Sequence, residues 1–258
     1  LKRGSVVPAF LDAHRWSACF GISYLELTLH DLGHSGRIMR ENGTYLRKVA
    51  GTAGIPDGRN EVCKSFLDGT DGEWLLMLDT DMGFAPDTAD RLVTSADRYH
   101  RPVMGALCFA NRRTGPGDFH GERFGIVPTV YNYVDESEAN GEVGFLPVHD
   151  YPRDQVTRCA GTGAACLLIH RGALHKVREK FGECWFDQMK HPTGLQGKPR
   201  SFSEDLSFCV RLAACDVPVH VNTAIKTCHE KGGIFLDEEA YDRQMTLLKL
   251  ERELESVG

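Results

Sequence analysis

Asp79 and Asp81 stand either side of Thr80, just past an unbroken apolar run, Trp74-Leu75-Leu76-Met77-Leu78. A run of that kind predicts a strand buried on both faces. The space beyond a strand's carboxyl end is where open α/β sheets bind ligands. Two carboxylates held there repel each other and resist desolvation. A divalent cation relieves both costs. Oxygen ligands suit Mg²⁺ or Mn²⁺, and such ions commonly complete their shell with substrate phosphate oxygens. The plainer reading is a pair of solvated turn residues.

Three further groups can do chemistry. Ser203-Glu204-Asp205-Leu206 stands at a helix start, where free amides and the helix dipole stabilise carboxylates, and one of the pair can act as a general base. Capping alone is the commoner reading, because acidic first turns are frequent. His229 lies in Thr227-Cys228-His229-Glu230-Lys231-Gly232-Gly233. An imidazole can be a third protein ligand for Mn²⁺, and Lys231 with the glycines can meet phosphates; a lone surface histidine is the commoner case. Ala160-Gly161-Thr162-Gly163-Ala164 precedes another apolar run. Glycines there permit close approach of backbone to a ligand, or simply make a turn.

Taken in order, Asp79-Thr80-Asp81, Gly161-Thr162-Gly163, Ser203-Glu204-Asp205 and His229 resemble the hallmark set of GT-A glycosyltransferases. The resemblance spans about Ser5 to Gly233. Asp57-Gly58-Arg59-Asn60-Glu61-Val62 is similar to the Arg-Asn element of small bacterial and phage members. Glu204-Asp205-Leu206-Ser207-Phe208-Cys209-Val210-Arg211 is similar to their E-D-x-x-F-x-x-R helix.

The resemblance implies a metal-dependent transfer of sugar from a nucleotide-diphospho-sugar, UDP-sugar favoured, to an acceptor hydroxyl. It implies that Asp81 and His229 ligate Mn²⁺ or Mg²⁺, while Asp79 binds the ion directly, through water, or holds the donor ribose. Arg59, Asn60, Thr80, Lys231 and the backbone of Val7 and Pro8 fall to the nucleotide sugar. Gly161, Thr162 and Gly163 fall beside the donor sugar and acceptor. Asp205 takes the acceptor proton if the enzyme inverts, with Glu204 as the alternative. Trp185 either stacks on a sugar or anchors its loop by packing.

The elements that must position these groups alternate between short apolar runs and helical patterns. The expected class is α/β with a GT-A, Rossmann-like sheet, mixed but mostly parallel, flanked by helices and closed by a C-terminal helix. Strands are expected at 5–10, 74–78, 103–110, 164–169 and 217–221. Helices are expected around 60–68, after Pro86 with Ala89, Leu92, Val93, Ala96 and Tyr99 on one face, after residue 169, and from Ser203 to Cys215. The last helix start rests on a capping box, Ser201-Phe202-Ser203-Glu204. Residues 111–158 read as a long excursion with one or two strands, and 182–200 as a loop. The domain is expected to fill 1–233. An amphipathic helix over 234–258, with Leu247, Leu250 and Leu254, either packs on it or pairs two copies.

Composition narrows the class. The chain has 258 residues, 41% of them hydrophobic and 26% charged, which excludes collagen-like, coiled-coil and largely disordered chains. A formal charge of −6 does not favour a polyanionic partner. Nine cysteines without a C-x-x-C pair suggest buried thiols in a reducing compartment. No signal-type core is evident at the start, and no apolar run reaches the roughly 18 residues of a membrane span. A cytoplasmic location is expected.

Rival readings fit less well. A haloacid-dehalogenase-like phosphatase also uses D-x-D, but expects it near the chain start and a different acidic element later. A sugar-1-phosphate nucleotidyltransferase wants a glycine-rich loop with Arg after the first strand. A carbohydrate-binding module needs aromatics but no metal pair. Cys209, Cys215, Cys228 and His229 lack a familiar zinc spacing. The acceptor stays open among protein side chain, glycan and modified nucleic acid. The segments 111–158 and 182–200 are expected to form its site.

Overall fold

The computed structural model describes residues 4–12, 15–38, 46–48, 54–114, 123–135, 143–191 and 200–256. β1 (Val6–Leu11) and β3 (Trp74–Leu78) run parallel at its centre, with Val6 opposite Trp74 and Ala9 opposite Met77. β2 (Leu46–Lys48) lies parallel on the other edge of β1. Side chains alternate across a strand, so Leu75 and Met77 enter one core cluster while Trp74, Leu76 and Leu78 enter another. Both clusters are buried. The uninterrupted apolar run is therefore a consequence of helices on both faces.

α1 (Ala18–Gly33) starts at Ser17, whose hydroxyl accepts from the Phe20 amide. α2 (Ile55–Gly69) begins earlier than its apolar face suggested, with Pro56 in its first turn and Gly54 before it at φ +90°. After β3 come β4 (Met82–Phe84), α3 (Thr88–Ser95) and β5 (Val103–Leu107). α3 stops short of Tyr99, which is exposed instead of sharing the buried face.

The excursion over 111–158 is richer than expected. β6 (Phe109–Thr114) pairs with β7 (Arg123–Pro128), and β8 (Val130–Val134) pairs with β9 (Gly144–Pro147). β10 (Val156–Cys159) is followed by β11 (Gly161–Thr162), which joins β8. β6–β7 and β11–β8–β9 are short antiparallel sheets off the main one, whereas β10 joins the main sheet at its edge. β12 (Cys166–His170) and α4 (Arg171–Phe181) follow. α5 (Glu204–Ala214) is capped by Ser203, not by Ser201, because the Ser203 hydroxyl accepts from the Leu206 amide.

β13 (Val219–Lys231) is the largest departure. The sequence suggested a strand over 217–221 with His229 eight residues beyond it; one strand carries both Val221 and His229. It pairs with β5 and β10, shifts register between Asn222 and Lys226, and then pairs with β4 and with β14 (Ile234–Leu236). Asn222 and Thr223 look like a break, but the buried Thr223 hydroxyl bonds the carbonyl of Pro152 at 2.6 Å.

The main sheet runs β10-β13-β5-β12-β3-β1-β2. It is mixed, as expected, but the parallel share is smaller: β12 lies antiparallel between β3 and β5, and β4, β10 and β14 all pair antiparallel with β13. The division expected between residues 233 and 234 falls inside the β13–β14 hairpin. α6 (Glu238–Glu255) then packs its first half on the domain, with Tyr241 buried 5.4 Å from the Phe109 ring.

Candidate functional site

The strand β3 ends at Leu78, and the next three residues are stitched down by backbone bonds on three sides. The Asp79 amide donates to Ala165 O at 2.9 Å, the Ser17 amide to Thr80 O at 2.9 Å, and the Glu230 amide to Asp81 O at 2.8 Å. β12, α1 and β13 thus fix the loop together. The two carboxylates leave it toward different partners.

Asp81 faces β13. Its Oδ2 accepts from Lys231 Nζ at 2.6 Å, and its Oδ1 lies 3.1 Å from His229 Nε2. His229 and Lys231 are two residues apart on one strand and so share a face. The other ring nitrogen, Nδ1, is 3.2 Å from the Phe109 carbonyl. A carbonyl only accepts, which places the proton of a neutral ring on Nδ1 and leaves Nε2 with a lone pair. Asp81 Oδ1 and His229 Nε2 are both buried, close, and misaligned for a hydrogen bond. Burial pushes the Asp81 carboxyl up, but Lys231, together with the His229 ring when it carries a proton on Nε2, outweighs it and holds it at about 2.

Asp79 faces α2 instead. Arg59, with a 6% exposed side chain, donates from Nη2 to Asp79 Oδ1 at 2.9 Å and from Nη1 to Glu204 Oε1 at 3.2 Å. Nη1 also donates to Asp205 Oδ1. The guanidinium lies over the Phe186 ring at 5.6 Å, which stacks on Phe208 of α5. Burial works against the Arg59 charge, yet Asp205, Asp79 and Glu204 raise its pKa on balance. One cation thus serves three carboxylates, and Asp205 is left the least compensated. Burial lifts its carboxyl most, Arg59 opposes, Glu204 and Asp79 add to the rise, and it comes to about 6.

The expected metal trio is therefore only partly gathered. Asp81 and His229 meet; Asp79 does not join them. Among the described residues no three His, Cys, Asp or Glu side chains form a ready cation cage. The Asp81–His229 pair nonetheless fits a cation, since it offers one hard oxygen and one bare imidazole nitrogen that a positive charge would satisfy together.

Several other expected residues have different tasks. Asn60, expected on the nucleotide, uses its amide to hold a loop, accepting from the Phe186 amide at 2.7 Å and donating to Asp187 Oδ1 at 2.5 Å. Trp185, open in sequence between a sugar platform and a packing anchor, is fully buried, and its Nε1 donates to Leu174 O at 3.0 Å. Val7 and Pro8 lie inside β1, opposite Leu75 and Leu76, short of its carboxyl end. Arg59 reaches carboxylates. Thr80 sits at the loop tip with its carbonyl taken by Ser17.

The glycine element divides as well. A Cβ on Gly161 would come within 2.8 Å of the Phe145 ring, so that glycine serves packing. Thr162 is buried with its side chain against Gly105 of β5. At Gly163 a Cβ would lie 3.7 Å from Asp205 Oδ2, beside the carboxylate cluster. Gly232 and Gly233, at φ +61° and +84°, make the two-residue turn from β13 to β14, a geometry that favours glycine.

Beyond α5's first turn opens a cleft of about 880 Å³, lined by Tyr133, Phe145, Phe202, Arg158, Lys190 and Cys209 among others. Part of its wall comes from 111–158 and 182–200, the segments expected to receive the acceptor, and much of the rest from α5 and the residues that lead into β13. Two other neighbours of the site are not legible in residue type. The Phe109 carbonyl that orients His229 is backbone and leaves no residue-type signal. Cys19 and Cys228, both partly exposed, flank Gly83, and Cys19 Sγ lies 3.8 Å from the Asp81 carbonyl oxygen. All nine cysteines are free, and Cys209 and Cys215 bond carbonyls of Thr162 and Lys176, far from a shared zinc site.

No protein-family model matches the chain, and no curated protein matches it. Among solved structures, A197 from STIV is similar at 14% identity over 91% of both chains, with a TM-score of 0.47. A mutant UDP-glucose pyrophosphorylase from Leishmania major, in complex with UDP-glucose, is similar at 7% identity over 78% of this chain and 58% of its own, with a TM-score of 0.34. Among the described residues no helix is long and apolar enough to cross a membrane.

Proposed function

We propose that the chain is a metal-dependent glycosyltransferase that moves a sugar from a nucleotide-diphospho-sugar to an acceptor hydroxyl. The observation that carries this reading is the pair of buried, mutually unsatisfied atoms Asp81 Oδ1 and His229 Nε2, 3.1 Å apart. Asp81 and His229 would hold Mn²⁺ or Mg²⁺, with Asp79 reaching the donor only if Arg59 releases it. Such an ion, when bound, neutralises charge developing on a leaving diphosphate. Lys231 is half-exposed and adds a positive charge at the same place.

Asp205 is the proposed base. As the acceptor oxygen bonds the anomeric carbon, its proton passes to the Asp205 carboxylate and the bond to the diphosphate breaks. A carboxyl poised near neutrality is suited to that exchange. Glu204, one residue earlier on the same guanidinium, is the alternative. The cleft beyond α5's first turn is the proposed acceptor site. Nine free thiols agree with a reducing compartment such as the cytoplasm.

The test is a thermal-shift screen of nucleoside-diphosphate sugars, UDP-sugars first, with and without Mn²⁺. A donor that raises the melting temperature only with the metal, and is then consumed in the presence of acceptor mixtures, supports the reading. Metal-independent binding without turnover would point to a sugar-binding protein instead.

A further inference from the structure

We infer that α1 is a self-association surface, through which two copies of this chain pair across a two-fold axis. The inference is independent of the proposed reaction. The helix buries one face in its own domain through Phe20, Ser23, Tyr24, Leu27 and Asp31. On the opposite face Ile22, Leu25, Leu29 and Leu32 remain 59%, 60%, 57% and 54% exposed. Their spacing of three, four and three residues is that of a coiled-coil seam, in which each side chain fits a hole on a facing helix. A lone exposed leucine needs no explanation, but a continuous strip of four marks a contact surface.

What faces the strip can be argued from charge. Between Ala18 and Gly33 there is no Lys or Arg, and Glu26 and Asp31 are acidic. A helix resting on an anionic membrane carries basic residues on its polar side, so a lipid surface is a poor match. A second exposed strip, Leu247, Leu250 and Leu254 on α6, is flanked by Lys249 and Arg252 as well as Glu251 and Glu253. Seating α1 of one copy on α6 of another would be a head-to-tail contact that no two-fold closes. The strip is better matched to itself. In an antiparallel pair Ile22 faces Leu32 of the second copy and Leu25 faces Leu29, while Glu26 falls opposite Thr28. No like charges meet, the helix dipoles oppose, and the two-fold closes the assembly. The strip is only about 15 Å long, so the interface is small and the association reversible.

The test is sedimentation velocity of the full chain across a concentration series spanning about 1–100 µM. A monomer–dimer equilibrium is expected, with Leu25→Glu and Leu29→Glu each weakening it at least a hundredfold at unchanged melting temperature. Leu250→Glu should leave it intact. A monomer throughout overturns the inference, as does a dimer that Leu250→Glu dissolves and Leu25→Glu does not. Co-sedimentation of the wild type, but not Leu25→Glu, with phosphatidylserine vesicles would assign the strip to a membrane and overturn it too.

Discussion

His229 Nε2 lies 3.1 Å from Asp81 Oδ1 while His229 Nδ1 points to the Phe109 carbonyl. A lone pair facing a carboxylate is stable only if a proton or a cation stands between them, and the two cases differ in what manganese does. The proposed cation predicts that Mn²⁺ at a hundred times its dissociation constant stabilises the wild type by about 2.7 kcal/mol, a rise of about 5 °C for a chain of this size. Asp81→Asn and His229→Gln should each lose most of that rise. A melting temperature indifferent to the metal in the wild type would leave an imidazolium–carboxylate pair as the better account.

Arg59 supplies the only side-chain cation described in contact with Asp79, Glu204 and Asp205. Replacing it with methionine keeps much of the volume but leaves three carboxylates clustered and half-buried. Removing one partner of a buried pair costs about 3–5 kcal/mol. Arg59→Met should therefore lower urea stability by about 3 kcal/mol at pH 8, and by less at pH 5, where the cluster can take up protons. A loss under 1 kcal/mol would show that solvent, not Arg59, compensates the cluster.

The position of Asp205 near 6 fixes two pH trends with opposite meanings. As a base it must be ionised, so the transfer rate should fall as pH drops through about 6 and level off above it. For stability the sign reverses: a carboxyl raised in the fold favours folding while protonated, and that contribution is lost between about pH 4 and 6. Asp205→Asn should accordingly cut the rate about 10²–10⁴-fold and remove the inflection, while melting no lower than the wild type at pH 8. Retained activity would move the proton to Glu204 or indicate a retaining mechanism.

Trp185 separates packing from recognition. Fully buried and bonded to Leu174 O, it should cost about 3–5 kcal/mol as Trp185→Ala. Trp185→Phe should keep KM for donor and acceptor unchanged, because no face of the ring is open to a sugar. A selective rise in KM with an unchanged melting temperature would restore the stacking role.

What could be read in advance followed from residue pattern. Trp74–Leu78 is apolar at every position, so its double burial and the placing of Asp79 and Asp81 at its end were both legible. Ser203 and Asp205 are legible as a helix start, since the capping box Ser201-Phe202-Ser203-Glu204 marks the right turn, and the hydroxyl that caps it is that of Ser203. His229 was found as a residue but not as part of a strand, since Asn222 and Thr223 interrupt the apolar pattern where β13 changes partners. The direction of a side chain was not legible at all. Arg59, Asn60 and Trp185 have types suited to ligands, and only tertiary packing shows that they face carboxylates, a loop and the core.

Gly161 and Gly163 look alike in sequence and should behave differently when each becomes alanine. At Gly161 the new methyl meets the Phe145 ring at 2.8 Å and Leu206 at 3.1 Å. Both must shift, and overpacking of that kind costs about 1–3 kcal/mol. At Gly163 the nearest atoms, Asp205 Oδ2 and the Thr129 side chain, are 3.7 Å away, an ordinary contact. Gly163→Ala should thus change stability by no more than about 0.5 kcal/mol, yet it sets a methyl against the face of the proposed base. Gly161→Ala is expected to unfold at lower urea with turnover per folded molecule preserved, and Gly163→Ala to stay folded with turnover reduced. If both variants lose only stability, the segment is a packing element and the acceptor does not pass beside Asp205.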